Sequence, residues 1–326
     1  MKHRLSLACA VLATAALAAL SGPTHAETTY PSHALQLVIP FPPGGATDVV
    51  GRLIGKSLSE KLGQPVLADN RAGAGTIIGA NFVAKAAPDG YTLLISSGTT
   101  FTINPAIQPK LAYDPVKSFE PIGLVGRTGL ILLANKDVPV NTPKEFAAAA
   151  KAAPGKYSYA SFGIGTTSQF TGELILRATG AQMVHVPYKG SAPAMSDLMG
   201  GQIPFSVDTV SAAIPQLKSG KIKAIAVSTA KRSKLLPNVP TFAESGYDVD
   251  ADTWIAIVAP RGLPPAVKAR LEKALAEIVA TPDVRDKLIA AGLEPGFQSG
   301  AAVTALIEKE LPLMRAVAAR ANIKAE

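Results

Sequence analysis

One device occurs twice in this chain and limits the folds open to it: a short apolar strand, a glycine turn with hydroxyl residues, then helical spacing. The run Leu35-Gln36-Leu37-Val38-Ile39 predicts a strand. It enters Phe41-Pro42-Pro43-Gly44-Gly45-Ala46-Thr47-Asp48, and Val49 to Leu62 then has apolar residues three and four apart. The second copy predicts a strand over Tyr157 to Ser161, a turn Phe162-Gly163-Ile164-Gly165-Thr166-Thr167-Ser168, and a helix. Glycine lets backbone come close to a bound group and adopt positive φ. The first N–H groups of a helix lack intrahelical acceptors and carry the positive end of the dipole. Such a turn is a ready anion site, placed beyond the carboxyl ends of the strands in an open α/β sheet. The plain alternative is that Thr47, Asp48 and Thr167 only cap helices and the glycines only turn the chain.

Strands and helices alternate around these units. Val66 to Ala68, Tyr91 to Ser96, Leu130 to Asn135, Ile203 to Val207, Ala224 to Ser228 and Trp254 to Val258 read as strands. Gly79 to Ala87 and Pro265 to Val279 read as helices, and a last helix bends at Pro312. Thr142-Pro143-Lys144-Glu145 is a capping box opening a helix that ends near Pro154-Gly155. The expectation is an α/β fold with mostly parallel sheets: two doubly wound α/β lobes joined by a hinge. The stretch after Pro240 has two helices and one clear strand, too few for a third lobe, so it returns to the first. The expected boundaries are residues 27–126 with 246–326 for one lobe and 127–245 for the other.

The amino terminus is expected to be removed. Lys2, His3 and Arg4 precede an apolar run from Leu5 to Leu20, and Thr24-His25-Ala26 fits a signal-peptidase site before Glu27. The run is shorter than the roughly 20 residues of a membrane span. The only cysteine, Cys9, leaves with residues 1–26, so no disulfide or thiol chemistry is expected. Stability then rests on ordinary cores, which a 48% hydrophobic composition can supply. The net charge of +8 falls to +6 without Lys2 and Arg4, and the densest basic group is Lys231, Arg232 and Lys234. Scattered charge without interleaved aromatics argues against nucleic acid and for small anions.

Further cleft residues are expected on loops after other strands: Ser97, Gly98 and Thr99, and Asp208. Ser161 ends the strand before the second turn. Asp208 could accept from a ligand amine or from loop backbone, or simply cap the next helix. Tyr188 and Lys189 could close over a ligand or form an ordinary surface turn. Trp254, the only tryptophan, reads as core rather than site. Gly51 to Ser57 imitates a phosphate loop but is one residue short between glycines and sits within a helix; Gly73 to Gly79 misses the dinucleotide fingerprint by one residue. The mature chain has two histidines, His33 near a disordered start and His185, which reads as structural. No nucleophile elbow and no metal-ligand spacing is present, so neither catalysis nor a cofactor nor a metal is expected.

At these residues the chain resembles the substrate-binding receptors of the tripartite tricarboxylate transporter family, or Bug-type proteins. The shared strings are FPPGGATD from Phe41, NRAGAG from Asn70, PDGYTLL from Pro88, YDP from Tyr113, FEPIGLV from Phe119, YASFGIGTTS from Tyr159, HVPYKG from His185 and VPTFAESGY from Val239. Eight strings in order across the mature chain are specific. The resemblance implies a type II periplasmic-binding fold that closes like a flytrap on a small mono- or dicarboxylate, partly through ordered water. It implies binding loops at Phe41 to Asp48 and Gly163 to Ser168, a monomer in the periplasm, and membrane permease subunits as partners. Where relatives often carry Pro-His-Leu-Ala after the Gly-Thr, this chain has Thr167-Ser168-Gln169-Phe170, which implies a different substrate. A ligand-sensing subunit for a membrane sensor kinase would share these features. A secreted hydrolase would need Ser97 or Ser168 to act with His185.

Overall fold

The computed structural model describes residues 30–321 and Ile323. The expected leader, residues 1–26, lies outside the described residues. The chain begins with β1 (Leu35–Ile39), α1 (Ala46–Leu62), β2 (Val66–Asn70), α2 (Ile77–Ala84) and β3 (Thr92–Ser97). A wide turn over Thr99–Ile103 leads to the short α3 (Asn104–Ile107) and the long strand β4 (Phe119–Asn135). Next come α4 (Pro143–Ala152), β5 (Ser158–Ser161), α5 (Thr167–Thr179), β6 (Val184–Pro187), α6 (Ser191–Met199), β7 (Phe205–Thr209), α7 (Val210–Leu217) and β8 (Ile222–Val227). The chain ends with β9 (Asp252–Pro260), α8 (Pro265–Ala280), α9 (Pro282–Ala290), β10 (Glu294–Ser299) and α10 (Gly300–Ala321). The last stretch thus holds three helices and two strands, more than its sequence pattern promised, and Pro312 lies inside α10. No described helix is long and apolar enough to cross a membrane.

The α/β class holds, with one correction to the sheet. Pairing is parallel for β1 with β2 and β3 and for β5 with β6 and β7, but antiparallel wherever β4 or β9 takes part. Strand order runs β2-β1-β3-β9-β4-β7-β5-β6, with β10 and β8 also on β4.

Strand β4 is the element least visible in the sequence, which marked only Leu130 to Asn135. Its first part pairs with β9 from Phe119 opposite Pro260 to Gly129 opposite Asp252. From Leu130 onward it pairs with β7 and β8. One continuous strand therefore belongs to both half-sheets. Gly123 and Gly126 look like turn signals, yet they mark close approach. A Cβ at Gly126 would lie 2.5 Å from the Glu294 carbonyl oxygen, and one at Gly123 would lie 2.6 Å from the Phe297 ring.

Each half has its own core. Val38, Leu94, Phe101, Phe119 and Trp254 pack in the first, and Leu132, Phe146, Tyr159 and Phe205 in the second. Trp254 is core, stacked on Phe101 at 5.6 Å, with its Nε1 donating to Glu310 Oε2 at 2.8 Å. Arg127 on β4 donates to both carboxylate oxygens of Asp252 on β9, at 2.7 and 2.9 Å, and reaches Glu310 at 3.4 Å. That fork pins together the two strands on which the chain passes between the halves. His33, expected in a disordered start, stacks on Tyr91 with ring centroids 3.7 Å apart.

Half of the expected capping box forms: Thr142 Oγ1 accepts from the Glu145 N–H at 3.1 Å, while Glu145 Oε2 accepts from Asn141 N–H, one residue before the cap, at 2.7 Å. Helix α5 lies on β5 through Gly172, where a Cβ would sit 2.4 Å from the Tyr159 ring. That ring is held from its far end by a 2.6 Å bond from its hydroxyl to Glu173. Gly172→Ala gains up to about 1 kcal/mol of helix propensity, but overpacking costs about 1–3 kcal/mol. Urea denaturation should therefore show the variant less stable by about 1–2 kcal/mol; an unchanged or raised midpoint would show that the ring moves freely.

Candidate functional site

The two halves face each other across an inner cavity and a wider outer groove. The cavity spans about 470 Å³, including its solvent-open part. Phe41, Pro42, Gly45, Ala46, Thr47 and Ser97 line it from the first half, with Thr128, Thr253 and Ile255 from β4 and β9. Phe162, Thr167, Gly190, Ser191, Asp208 and Thr209 line it from the second. The outer groove, about 1490 Å³ including its solvent-open part, shares Phe41, Pro42, Phe162 and Gly190 with the cavity. Those residues form the partition. The Phe41 and Phe162 rings meet edge to face at 6.5 Å, and a Cβ on Gly190 would lie 2.9 Å from the Pro42 ring.

Of the residues expected to bind, Phe41, Gly45, Ala46, Thr47, Ser97, Thr167 and Asp208 reach the inner cavity. Gly163, Thr166, Tyr188 and Lys189 line only the outer groove, and the Tyr188 hydroxyl is tied to Asp197 at 2.8 Å. Pro43, Gly44, Asp48, Gly98, Thr99, Ser161, Gly165 and Ser168 line neither.

Several of these build the site without facing it. Helix α1 begins at Ala46, earlier than its apolar spacing showed, because Gly45 takes the extended cap conformation and Val49 bonds back to the Gly45 carbonyl. Asp48 then points back into the turn. Its carboxylate accepts from Gly44 N–H at 3.0 Å, Asn70 Nδ2 at 2.8 Å and Arg52 Nε at 3.0 Å. Burial by itself would raise the Asp48 carboxyl, and the bonds from Arg52, Gly44 and Asn70 outweigh it and hold it below the usual range. Asn70 also donates to the Phe41 carbonyl at 3.0 Å. Gly44 has φ of +88°, which a side chain would strain, so the turn is shaped by that glycine and by Asp48 together.

The second turn differs from expectation. Its backbone donors are already engaged: Gly163 N–H by Ser161 Oγ at 3.2 Å, Gly165 N–H by Gln169 Oε1 at 2.7 Å, and Thr167 N–H by Thr99 Oγ1 at 3.1 Å. The last is a bond between the halves. Thr166 is the helix cap, accepting from Gln169, and Ser168 Oγ donates to the Val207 carbonyl at 2.6 Å. From the second half it is the start of α6, at Gly190 and Ser191, and the cap of α7, at Thr209, that line the cavity, with the Ser191 hydroxyl and the Thr209 N–H donating to Asp208. The string HVPYKG ends on that Gly190, but it was read for Tyr188 and Lys189, and the start of α6 was overlooked. Thr128, Thr253 and Ile255 could not be found from sequence, because they reach the cavity only through the pairing of β4 with β9.

The cavity wall is mostly apolar and uncharged. Asp208 is the one ionisable side chain among its lining residues. Thr253 Oγ1 is buried without a hydrogen-bond partner, an orphan that a bound polar group would satisfy. Among the described residues no cluster of His, Cys, Asp or Glu could hold a metal. The hydrolase reading loses its geometry: neither Ser97 nor Ser168 bonds to His185, which instead meets Ser161 Oγ at 2.7 Å and the Gln169 amide at 3.3 Å. Burial lowers the His185 imidazole to about 4, so it stays neutral near pH 7 and serves as a fixed hydrogen-bonding group.

Comparison with known proteins bears on this geometry. The family model described as "Tripartite tricarboxylate transporter family receptor" matches residues 50–323. Protein BugT of Bordetella pertussis is 36% identical over 297 residues, covering 90% of each chain. The structure of the periplasmic binding protein BugD superposes with a TM-score of 0.87 at 36% identity, over 91% of this chain and 100% of that one. An R. palustris protein solved with adipate gives a TM-score of 0.88 at 34% identity, over 90% and 99%.

The histidine supplies a direct check. Its folded value lies below its unfolded one, so the stability it contributes is present above about pH 6.5 and is lost as pH falls toward 4. In an NMR titration the His185 ring signals should stay constant from pH 8 to 5 and move only near pH 4. Movement centred near pH 6.5 would mean that the ring is solvated.

Proposed function

This chain belongs to the tripartite tricarboxylate transporter receptor family, and from that premise we propose that it captures a small mono- or dicarboxylate in the inner cavity between its halves. It then delivers the ligand from the periplasm to the membrane permease subunits of a tripartite uptake system. The observation that carries this reading is the cavity itself: helix starts from both halves surround a space lined by no cationic side chain. Backbone donors must then hold the anion. The adipate seen in the R. palustris structure supports the same ligand class.

In this reading one carboxylate sits against the start of α1, on the backbone of Gly45 to Thr47, with the hydroxyls of Thr47, Ser97 and Thr253 around it. The starts of α6 and α7 close over it from the other side. Charge-assisted hydrogen bonds contribute about 1.5–3 kcal/mol each, so four or five reach the roughly 8 kcal/mol of micromolar binding after ordering costs. The lobes are residues 27–126 with 246–326 and residues 127–245, and they hinge where β4 and β9 cross between them. The family is one of receptors, and His185, bonded to Ser161 and Gln169 rather than to Ser97 or Ser168, is given no catalytic role. If the hinge works, small-angle scattering should show a smaller radius when ligand is added, and identical profiles would argue against it.

Thermal shift against a panel of organic acids tests the ligand class. At a hundredfold excess over Kd a bound carboxylate should raise the melting midpoint by about 4 °C. A panel in which only another chemical class raises it would overturn the reading. Position 45 tests the site. Gly45 has φ of −81°, and a Cβ there meets nothing nearer than the Pro42 carbonyl oxygen at 3.9 Å. Gly45→Val should keep the unliganded midpoint within about 2 °C while weakening carboxylate binding tenfold or more in calorimetry. Gly165→Val is no longer a clean companion test, because Gly165 has φ of +67° and a Cβ would lie 3.1 Å from Ile107.

A further inference from the structure

Besides the cores of the two halves there is an apolar cluster that belongs to neither. Phe170 of α5 is 3% exposed and clusters with Ile103, just before α3, with Ile107 at the end of α3, and with Ala318 and Ile323. Leu174 of α5 and Met314 and Val317 of α10 pack against the same group and are half-buried. Helix α5 is part of the second half, whereas α3 and α10 are part of the first. Helix α10 reaches the cluster by passing the joint between them. Its Val303 and Ile307 sit in the first core, its Glu310 accepts from Arg127 and Trp254 on the crossing strands, and its last two turns meet α5.

Contacts beside this cluster also pass between the halves. Thr167 N–H donates to Thr99 Oγ1 at 3.1 Å. Two glycines let the loops meet closely: a Cβ at Gly75 would lie 2.8 Å from the Ile164 carbonyl oxygen, and one at Gly165 would lie 3.1 Å from Ile107. Phe170, Ile103, Ile107 and Ala318 line neither the cavity nor the outer groove. The cluster is therefore protein against protein, and no ligand is needed to complete it. Hinging about β4 and β9 would draw α5 away from α3 and α10 and return these side chains to water. Apolar burial favours the joined arrangement whatever the ligand. A ligand that binds only the closed form has an apparent Kd equal to its intrinsic Kd divided by the closed fraction.

We infer that the contact of α5 with α3 and α10 is a closing seam: Phe170 and its neighbours keep part of the unliganded protein closed, and so scale the affinity for every ligand by one common factor. Phe170 is then a positioning residue, which acts on the ligand only through the population of the closed form. This rests on the proposed hinged capture and adds to it a control built outside the cavity.

Small-angle scattering and calorimetry on Phe170→Ala test it. Without ligand the variant should have a larger radius than the unaltered protein, at unchanged helix content by circular dichroism. Succinate, glutarate and adipate serve as probes. Each one that binds should bind Phe170→Ala about fivefold or more weakly, by the same factor for all, and saturation should bring both proteins to one radius. Leu174→Ser and Met314→Ser, half-buried and on opposite sides of the seam, should act in the same direction, and they decide if Phe170→Ala does not fold. An unliganded radius unchanged in all three variants would overturn the inference, while hinged capture stands if acid still contracts the unaltered protein. Weakening by unequal factors, or tighter binding, would overturn it too, because Phe170 would then shape the site or oppose closure. If none of the three acids binds, carboxylate capture loses its support, and the unliganded radii still decide on the seam.

Discussion

Strand β4 belongs to both half-sheets, and the position of every residue around the cavity follows from that. Its first part carries β9 and β10, its last part β7 and β8. The change of partner falls between Gly129 and Leu130, where Thr128 on β4 and Thr253 on β9 reach the cavity. Strands β1 and β3 deliver the Phe41–Thr47 turn and Ser97 to one side, and β5 and β7 deliver Phe162 and Asp208 to the other.

The lining of the cavity is mostly apolar, with helix starts among it. Helix starts offer N–H donors already oriented by the helix, so no side chain has to be ordered when an anion arrives. The polar side chains nearby serve mainly to shape the loops: Asp48 folds the first turn, while Ser161, Thr166 and Gln169 fold the second from within. Thr99 accepts the Thr167 N–H across the halves, so the second turn contributes more to holding the halves together than to offering free donors. Against this background Asp208 is the one ionisable lining side chain, and the Thr253 hydroxyl is the lining polar group left without a partner.

Some of this was legible in the residues alone. The strand over Leu35–Ile39, the helices opening at Pro143 and Pro265, and the paired strand–turn–helix units depend on neighbours in sequence, and local chemistry dictates them. Trp254 as core and the nucleotide-like strings as false leads followed in the same way. The N-terminal half of β4 was hidden because its glycines carry turn signals. Those glycines are required by β10 and the residues just before it, which lie about 170 residues further along the chain.

What the sequence by itself determined was the kind of device: glycine turns feeding helix starts, twice, in an alternating α/β chain with no reactive or metal-binding cluster. The tertiary structure alone decided which starts face the cavity. Whether an N–H is free depends on whether another loop happens to cap it, and the acceptor for Thr167 comes from Thr99, 68 positions earlier. The same reason puts Gly190 and Ser191, rather than Gly163 and Gly165, at the cavity wall. Hydrogen-bond satisfaction is settled by contacts distant in sequence, so a local motif can announce a binding turn without revealing whether its donors are already spent.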